Sequence, residues 1–89
     1  MTMVAADESV GRLISRRRQE LGLSQAALAR RLAADSGRSL SRKRVSDWEH
    51  ERVIVGPSWL PFLAAVLDVS VSTLAAAAAV ARYRDRFGD

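Results

Sequence analysis

A short pattern recurs three times along this chain: an apolar residue, then serine, then an apolar residue four positions further on. In each copy the serine hydroxyl can accept a hydrogen bond from a free backbone N–H at a helix start, and the apolar pair can close over that turn. The pattern therefore predicts three helix starts, and a looser fourth copy predicts another. The copies are Leu23-Ser24…Leu28, Leu40-Ser41…Val45, Val69-Ser70…Leu74 and, more loosely, Pro57-Ser58…Phe62.

Apolar spacing fills in the rest of the helical pattern. Ahead of Ser24, apolar residues at helical spacing predict a first helix that ends at Gly22 in a left-handed turn. The stripe of this first helix consists of Val10, Leu13, Ile14 and Leu21. Further helices are expected from Gln25 to about Asp35, from Arg42 to about His50, from Trp59 to Leu67 and from Val71 to about Phe87. No convincing strand alternation occurs, so we predict an all-α, compact five-helix domain with a long C-terminal helix.

Composition excludes several function classes. The 89 residues suffice for one core, and they include no cysteine and a single histidine, His50. Disulfides, thiolate metal sites and thiol nucleophiles are therefore excluded, and no nucleophile motif or phosphate loop is present. The longest apolar-leaning run has 11 residues, 71–81, against roughly 20 for a bilayer span. We expect a cytoplasmic protein without a signal peptide, catalytic activity, metal, cofactor or membrane contact.

Positive charge is concentrated in the first half of the chain. Residues 12–52 hold 11 Lys/Arg against 5 Asp/Glu, whereas residues 53–89 are balanced. A segregated positive field implies an acidic partner, most often nucleic acid. The alternative interpretation is a basic surface that is merely solvated.

The start of the predicted third helix is electrostatically unusual. Arg42, Lys43 and Arg44 occupy its first turn, where the helix dipole already places partial positive charge. Such an arrangement is favourable when an anion lies in front of it, and phosphates and guanine edges both fit. A solvated basic turn remains the alternative.

These residues together resemble a known family. Residues 22–29, GLSQAALA, and residues 40–49, LSRKRVSDWE, resemble the helix-turn-helix of XRE, lambda-repressor-like and Cro-type DNA-binding domains. Residues 57–74 are similar to the fourth and fifth helices of that family, so the resemblance covers about 10–76. It implies a helix-turn-helix at helices 2 and 3, with helix 3 in the major groove of an operator. It also implies a sequence-specific regulator, most simply a repressor, that binds a roughly palindromic site as a homodimer.

The resemblance assigns roles to individual side chains. Arg42, Lys43 and Ser46 match positions that face base edges, and Gln25 matches one that contacts phosphate or braces a base-reading side chain. Phosphate or groove-rim positions are matched by Ser24, Arg44, His50 and Arg52. Val45 and Trp48 match core positions, and Glu49 matches an acid suited to an internal ion pair with Arg17 or Arg18. An ordinary exposed role for Gln25 remains open.

Two departures from the family pattern matter. The turn between the second and third helices is long; we expect residues 33–35 to extend helix 2 and residues 37–39 to reverse the chain, with Arg38 near a phosphate. Glu51 stands where the family commonly has the glycine that closes helix 3. The following segment, Val53-Ile54-Val55, is either a flap over the core or an exposed contact surface, and we favour the flap.

A second function remains open. The domain could be an antitoxin or protein-interaction module that uses residues 53–55 or the last helix. The alanine run, residues 75–79, either packs on the first helix or belongs to a dimer face with Val80, Tyr83 and Phe87. We accordingly divide the chain into a flexible N-terminus (1–8), a DNA-binding domain (9–76) and an extension of the last helix (77–89).

Overall fold

Three serines begin three of the helices. The computed structural model describes residues 8–88, which form α1 (Val10–Glu20), α2 (Gln25–Ser36), α3 (Arg42–Glu49), α4 (Leu60–Leu67) and α5 (Val71–Phe87). Ser24, Ser41 and Ser70 are the N-caps of α2, α3 and α5, and each hydroxyl accepts from the backbone N–H three residues further on. Within residues 8–88 there is no strand, and the five-helix all-α prediction is confirmed.

The looser fourth serine pattern precedes a helix, as predicted, but its serine is not the cap. Ser58 lies inside a 3₁₀ turn, Pro57–Trp59, which leads directly into α4. The residue at the N-cap of α4 is Trp59, and its side chain makes no capping bond. Proline at the start of the turn extends helical backbone upstream of Ser58, whose hydroxyl instead accepts from Arg38.

One hydrophobic core joins all five helices. The first helix packs against α3, α4 and α5, while α2 packs against α3 and α4. Trp48 is the largest fully buried side chain and lies among Ile14, Leu28, Leu63 and other apolar residues. This arrangement attaches α3 to the body along its inner face and leaves its other faces accessible.

The predicted burial of Leu21 was wrong. Leu21 shares the stripe of Ile14 by spacing, yet it is 42% exposed. It is the C-cap of α1, and the chain turns away at Gly22, which has a φ of +73°. The half-buried side chain that packs on the core at this point is Leu23.

The alanine run of α5 faces two environments. Ala77, Ala78 and Ala81 are buried, and α5 packs against α1 and α4, which confirms the internal-packing interpretation. Beyond these residues, Tyr83 and Phe87 are 64% and 66% exposed, with their rings 4.7 Å apart. The segment 82–88 buries no side chain of its own.

The apolar segment after α3 is mainly a flap over the core. Val55 is buried and Ile54 packs against the core from a half-buried position, whereas Val53 remains exposed. The predicted flexible N-terminus, 1–8, lies outside the described residues except for Glu8. Its carboxylate accepts two hydrogen bonds of 3.0 Å from Arg16 on α1.

Candidate DNA interface

Local hydrogen bonds define the end of α2 and the start of α3. Gly37 ends α2 with a φ of +73°, and its N–H bonds the carbonyl oxygen of Ala33. The chain then reverses over residues 37–40, and Ser41 opens α3 by accepting from the N–H of Arg44. The prediction that residues 33–35 extend α2 is confirmed, and the longer connection reverses the chain ahead of α3.

The inner and outer faces of α3 differ sharply. Val45 and Trp48 are buried, so the helix is fastened to the core along one side. The three cations of its first turn, Arg42, Lys43 and Arg44, are all exposed. Positions 42 and 44 lie about 200° apart around an α-helix, so their side chains leave α3 on opposite sides.

Arg42 is braced by an uncharged partner on α2. Its Nη1 donates to Oε1 of Gln25 over 3.3 Å. The amide nitrogen of Gln25 donates in turn to Glu49, whose carboxylate accepts two hydrogen bonds of 2.7 and 3.0 Å from Arg18. The predicted Glu49 ion pair is thus present with Arg18, and Gln25 has a specific structural role.

Lys43 and Arg52 share one carboxylate. Lys43 Nζ lies 3.1 Å from Asp47 Oδ2, and Arg52 Nη1 lies 3.4 Å from Asp47 Oδ1. The hydrogen bond from Lys43 is the main cause that holds the pKa of Asp47 below its ordinary value. Both cationic side chains are mostly exposed, at 79% and 62%. Ion pairs with such exposed cations are weak and screened by salt.

Ser46 and His50 form a local pair at the end of α3. His50 Nδ1 lies 2.9 Å from the carbonyl oxygen of Ser46 and 3.3 Å from its hydroxyl oxygen. A carbonyl oxygen can only accept, so this contact requires the proton on Nδ1. His50 is exposed, while Ser46 is half-buried beside it.

Arg38 is anchored within the protein. Its guanidinium carbon lies 3.8 Å from the ring centroid of Trp59, and its two terminal nitrogens donate to the hydroxyl and the carbonyl oxygen of Ser58. Together with Arg44, Ser39 and Trp59 it lines an open cleft of about 770 Å³ beside the start of α3.

Apart from Ser24, the candidate residues therefore fall into four groups. Arg42 and Gln25 lie together at the α2–α3 junction, and Lys43 and Arg52 meet at Asp47. Ser46 and His50 pair at the end of α3, and Arg38 and Arg44 line the cleft. Ser24 is exposed at the start of α2, with its hydroxyl used as a cap. Sequence reasoning missed Asp47 as a partner of these cations, although the Lys43–Asp47 spacing of four residues on a helix is a readable signal. It also missed Trp59 as the platform for Arg38, for which no local signal exists.

Comparison with protein-family models, curated proteins and solved structures found no match for this chain. Among residues 8–88, no group of three or more His, Cys, Asp or Glu side chains is placed to hold a metal ion. None of the helices in this part of the chain combines the length and hydropathy needed to cross a bilayer.

Proposed function

We propose that this protein is a sequence-specific transcriptional regulator, acting as a repressor, that binds double-stranded DNA in the cytoplasm and catalyses no reaction. The observation that carries the proposal is the cationic first turn of α3, exposed while Val45 and Trp48 hold the helix on the core. Adjacent cations at the positive end of a helix are unfavourable unless an anion faces them. Within residues 8–88, Asp47 faces Lys43, but no carboxylate pairs with Arg42 or Arg44. A duplex supplies phosphates, and its major groove admits an α-helix.

In this proposal α3 reads base edges as the second helix of an XRE, lambda-repressor-like or Cro-type motif. Arg42 presents its remaining N–H groups beyond Gln25, and they suit the O6 and N7 acceptors of guanine. Lys43 exchanges Asp47 for a base or a phosphate, and Ser46 contributes a hydroxyl that can donate or accept. These three side chains supply sequence preference.

The remaining candidates supply contacts to the DNA backbone. The cleft beside Arg44 and Arg38 would receive one phosphate, while Arg52 and His50 would meet the strand at the other end of α3. At the start of α2, Ser24 and Gln25 lie where a phosphate can approach backbone N–H groups. Contacts of this kind fix orientation and dominate gross affinity without reading sequence.

Selection of bound duplexes from a random library at about 0.15 M salt tests this proposal directly. We expect enrichment of one short motif, repeated as an inverted pair with half-sites about one helical turn apart. If each subunit neutralises about four phosphates, the log–log salt slope of a dimer is about −7. Recovery of random sequences, or binding unaffected by salt, would contradict the proposal.

Two matched variants test whether Arg42 itself, and not net charge, determines the selected motif. Arg42→Met should weaken motif enrichment and change the selected motif, because it removes one of the three side chains directed at base edges. Arg12→Met removes the same charge from an exposed position on α1 and should leave the selected motif unchanged. Equal effects of the two substitutions would show that only net charge matters.

A homodimer formed through the end of α5 fits this function. One short helix offers few base contacts, and linking two half-sites multiplies affinity. Tyr83 and Phe87 present neighbouring exposed rings, and Val80 lies half-buried one turn before Tyr83. Sedimentation equilibrium should show a dimer that Tyr83→Ser with Phe87→Ser converts to a monomer. Unchanged association in this double variant would exclude the α5 face.

The same exposed rings support an alternative function, an antitoxin or protein-interaction module with secondary DNA binding. In that case the rings of Tyr83 and Phe87, with Val53, would cover another protein. A chain that stays monomeric, selects no DNA motif and copurifies with a small toxin encoded by a neighbouring gene would favour this alternative. A dimer that selects a palindrome would favour the regulator.

A further inference from the structure

The open cleft beside the start of α3 combines positive charge with apolar surface. Its volume of about 770 Å³ lies within the range of roughly 300–1,000 Å³ that small-molecule sites occupy. Arg38 and Arg44 supply the charge of its lining. The apolar part of the lining is half-buried and consists of Ala33, Leu40 and Trp59. A cleft of this size and composition suits an organic ligand better than a simple ion.

The charge of the lining favours an anion. None of the residues that line the cleft is acidic. The side chain of Arg44 is exposed and makes no hydrogen bond or ion pair within residues 8–88. Its N–H donors are therefore available to a carboxylate or a phosphate, either of which a guanidinium binds through two parallel hydrogen bonds.

Arg38 adds a second positive charge that the protein already holds in place. Its guanidinium lies over the indole of Trp59 and donates to the hydroxyl and the carbonyl oxygen of Ser58. These two bonds leave further N–H groups of the guanidinium unused. A ligand that meets Arg38 does not have to order this side chain, so less side-chain entropy is lost on binding.

The apolar lining favours a ligand that carries a ring. The indole of Trp59 is fixed by edge contacts with Trp48 and Phe62, whose ring centroids lie 5.7 and 6.4 Å away. An aromatic ring can pack against such a fixed indole and against the side chain of Leu40. A bare phosphate or carboxylate would gain nothing from this surface, because it has no apolar area to bury.

From this lining we infer that the cleft is an effector site for a small organic anion, an aromatic ring that carries a carboxylate or a phosphate group. The ligand site stands apart from the proposed function, whereas its consequence for DNA rests on that function. Arg44 is proposed to contact a DNA phosphate, and the bound anion occupies the same guanidinium. Ligand and duplex then compete, and each lowers the affinity of the other.

The first experiment measures ligand binding to the free protein by calorimetry. The probes are phenylacetate and adenosine monophosphate, one for each anionic group, so they distinguish a carboxylate ligand from a phosphate ligand. Acetate and inorganic phosphate are the same anions without a ring. At least one probe should bind about ten-fold or more tightly than its bare anion, because the ring buries apolar surface. In NMR spectra, this probe should shift the Arg44 Nε–H and the indole N–H of Trp59.

Two matched variants test the location of the site. Arg44→Met should weaken binding of the better probe by about ten-fold or more, as expected when a hydrogen-bonded charge is removed. Arg31→Met removes the same charge from an exposed position on α2 outside the cleft and should leave the affinity unchanged. Failure of both probes to bind would overturn the effector site. Equal affinity for each probe and its bare anion, or equal losses in the two variants, would overturn it as well.

The second experiment adds the duplex selected from the random library. At ten times its own Kd, the better probe should weaken duplex binding by about ten-fold, with inorganic phosphate as the control for ionic strength. Arg44→Met should remove this effect of the probe. Probe binding that leaves the duplex affinity unchanged would overturn the competition. If no duplex is selected, the proposed function fails, whereas binding of the probe to the free protein would still support the ligand site.

Discussion

Gly11 on α1 lies directly against the backbone carbonyl oxygen of Trp48 on α3. A β-carbon at position 11 would collide with that oxygen, and it would also come within 2.9 Å of the Glu51 side chain. Only glycine permits this close approach, because the obstacle is backbone that belongs to another helix. The relationship fixes the distance between α1 and the C-terminal end of α3.

Gly11→Ala should therefore destabilise the protein by about 2–3 kcal/mol, as expected for overpacking against rigid backbone. Thermal unfolding should show a decrease in Tm of about 4–8 °C for each kcal/mol in a domain of this size. Gly56→Ala is the matched control, because nothing lies within 4 Å of a β-carbon there and its φ is −71°. Equal melting temperatures for the two variants would show that the Trp48 carbonyl does not prevent a side chain at position 11.

Replacing Glu51 with glycine should stabilise the protein. Glu51 has a φ of +61°, a left-handed conformation that costs a residue with a side chain about 1–2 kcal/mol. Glycine removes this strain but gains freedom in the unfolded chain, so we expect a net gain of about 0.5–1 kcal/mol in urea unfolding. Glu51→Ala removes the carboxylate and keeps the strain, so it should show no such gain.

Loss of the Arg38–Trp59 stack should loosen the long connection between α2 and α3. The guanidinium lies over the indole and also bonds Ser58, so Arg38→Ala should cost about 1 kcal/mol in the free energy of unfolding. Arg44→Ala, in the same cleft, should cost much less because its side chain has no partner within residues 8–88. A larger loss for Arg44 would contradict the anchoring role of Arg38.

Asp47→Asn should strengthen DNA binding on every sequence. The Asp47 carboxylate pairs with both Lys43 and Arg52 and would repel nearby phosphates. Its removal leaves both cations available to the duplex. Filter binding should show tighter association with operator and random DNA alike, and a steeper salt slope.

The ion pair behind this effect can be measured separately. The carboxyl ¹³C shift of Asp47 should titrate below the ordinary pKa, because Lys43 stabilises the ionised form, and Lys43→Met should raise that pKa. Since the pKa is lowered on folding, the pair stabilises the protein above the ordinary aspartate pKa. This stabilisation is lost as the pH falls through the lowered value. An Asp47 pKa that Lys43→Met leaves unchanged would contradict the pairing.

Substitution of Arg42 or Lys43, at the start of α3, should change DNA binding differently from substitution of Arg52, which follows the helix. Arg42→Ala and Lys43→Ala should reduce the preference for operator over random duplex, since they remove contacts to base edges. Arg52→Ala should weaken binding to both duplexes equally, since a phosphate contact carries no sequence information. Competition binding measures both effects, and equal losses for all three variants would contradict the base-reading assignment.

Local chemistry made the helices predictable. The caps at Ser24, Ser41 and Ser70 depend on residues within one turn, so sequence spacing reveals them before any tertiary contact is known. The pair of Glu49 with an arginine of α1 was also expected, but only through the family resemblance. Nothing in the sequence chose Arg18 over Arg17, whose Nε instead donates to the carbonyl oxygen of Leu67.

What the sequence did not reveal depends on contacts between distant segments. Arg38 and Trp59 are 21 positions apart and meet only because the long turn folds back onto α4. The exposure of Leu21 follows from where the chain leaves α1, which helical periodicity alone cannot locate. The approach of Gly11 to Trp48 likewise requires the packing of α1 on α3.

The two parts of α5 differ in burial. Its 17 residues span about 25 Å, and every side chain that it buries lies at or before Ala81. If copies of this chain pair through the end of α5, as proposed, substitutions after Ala81 should change that pairing while the stability of the body stays nearly constant. Under the same proposal, related chains with the same body would become regulators that do not pair with one another through a few changes in the final two turns.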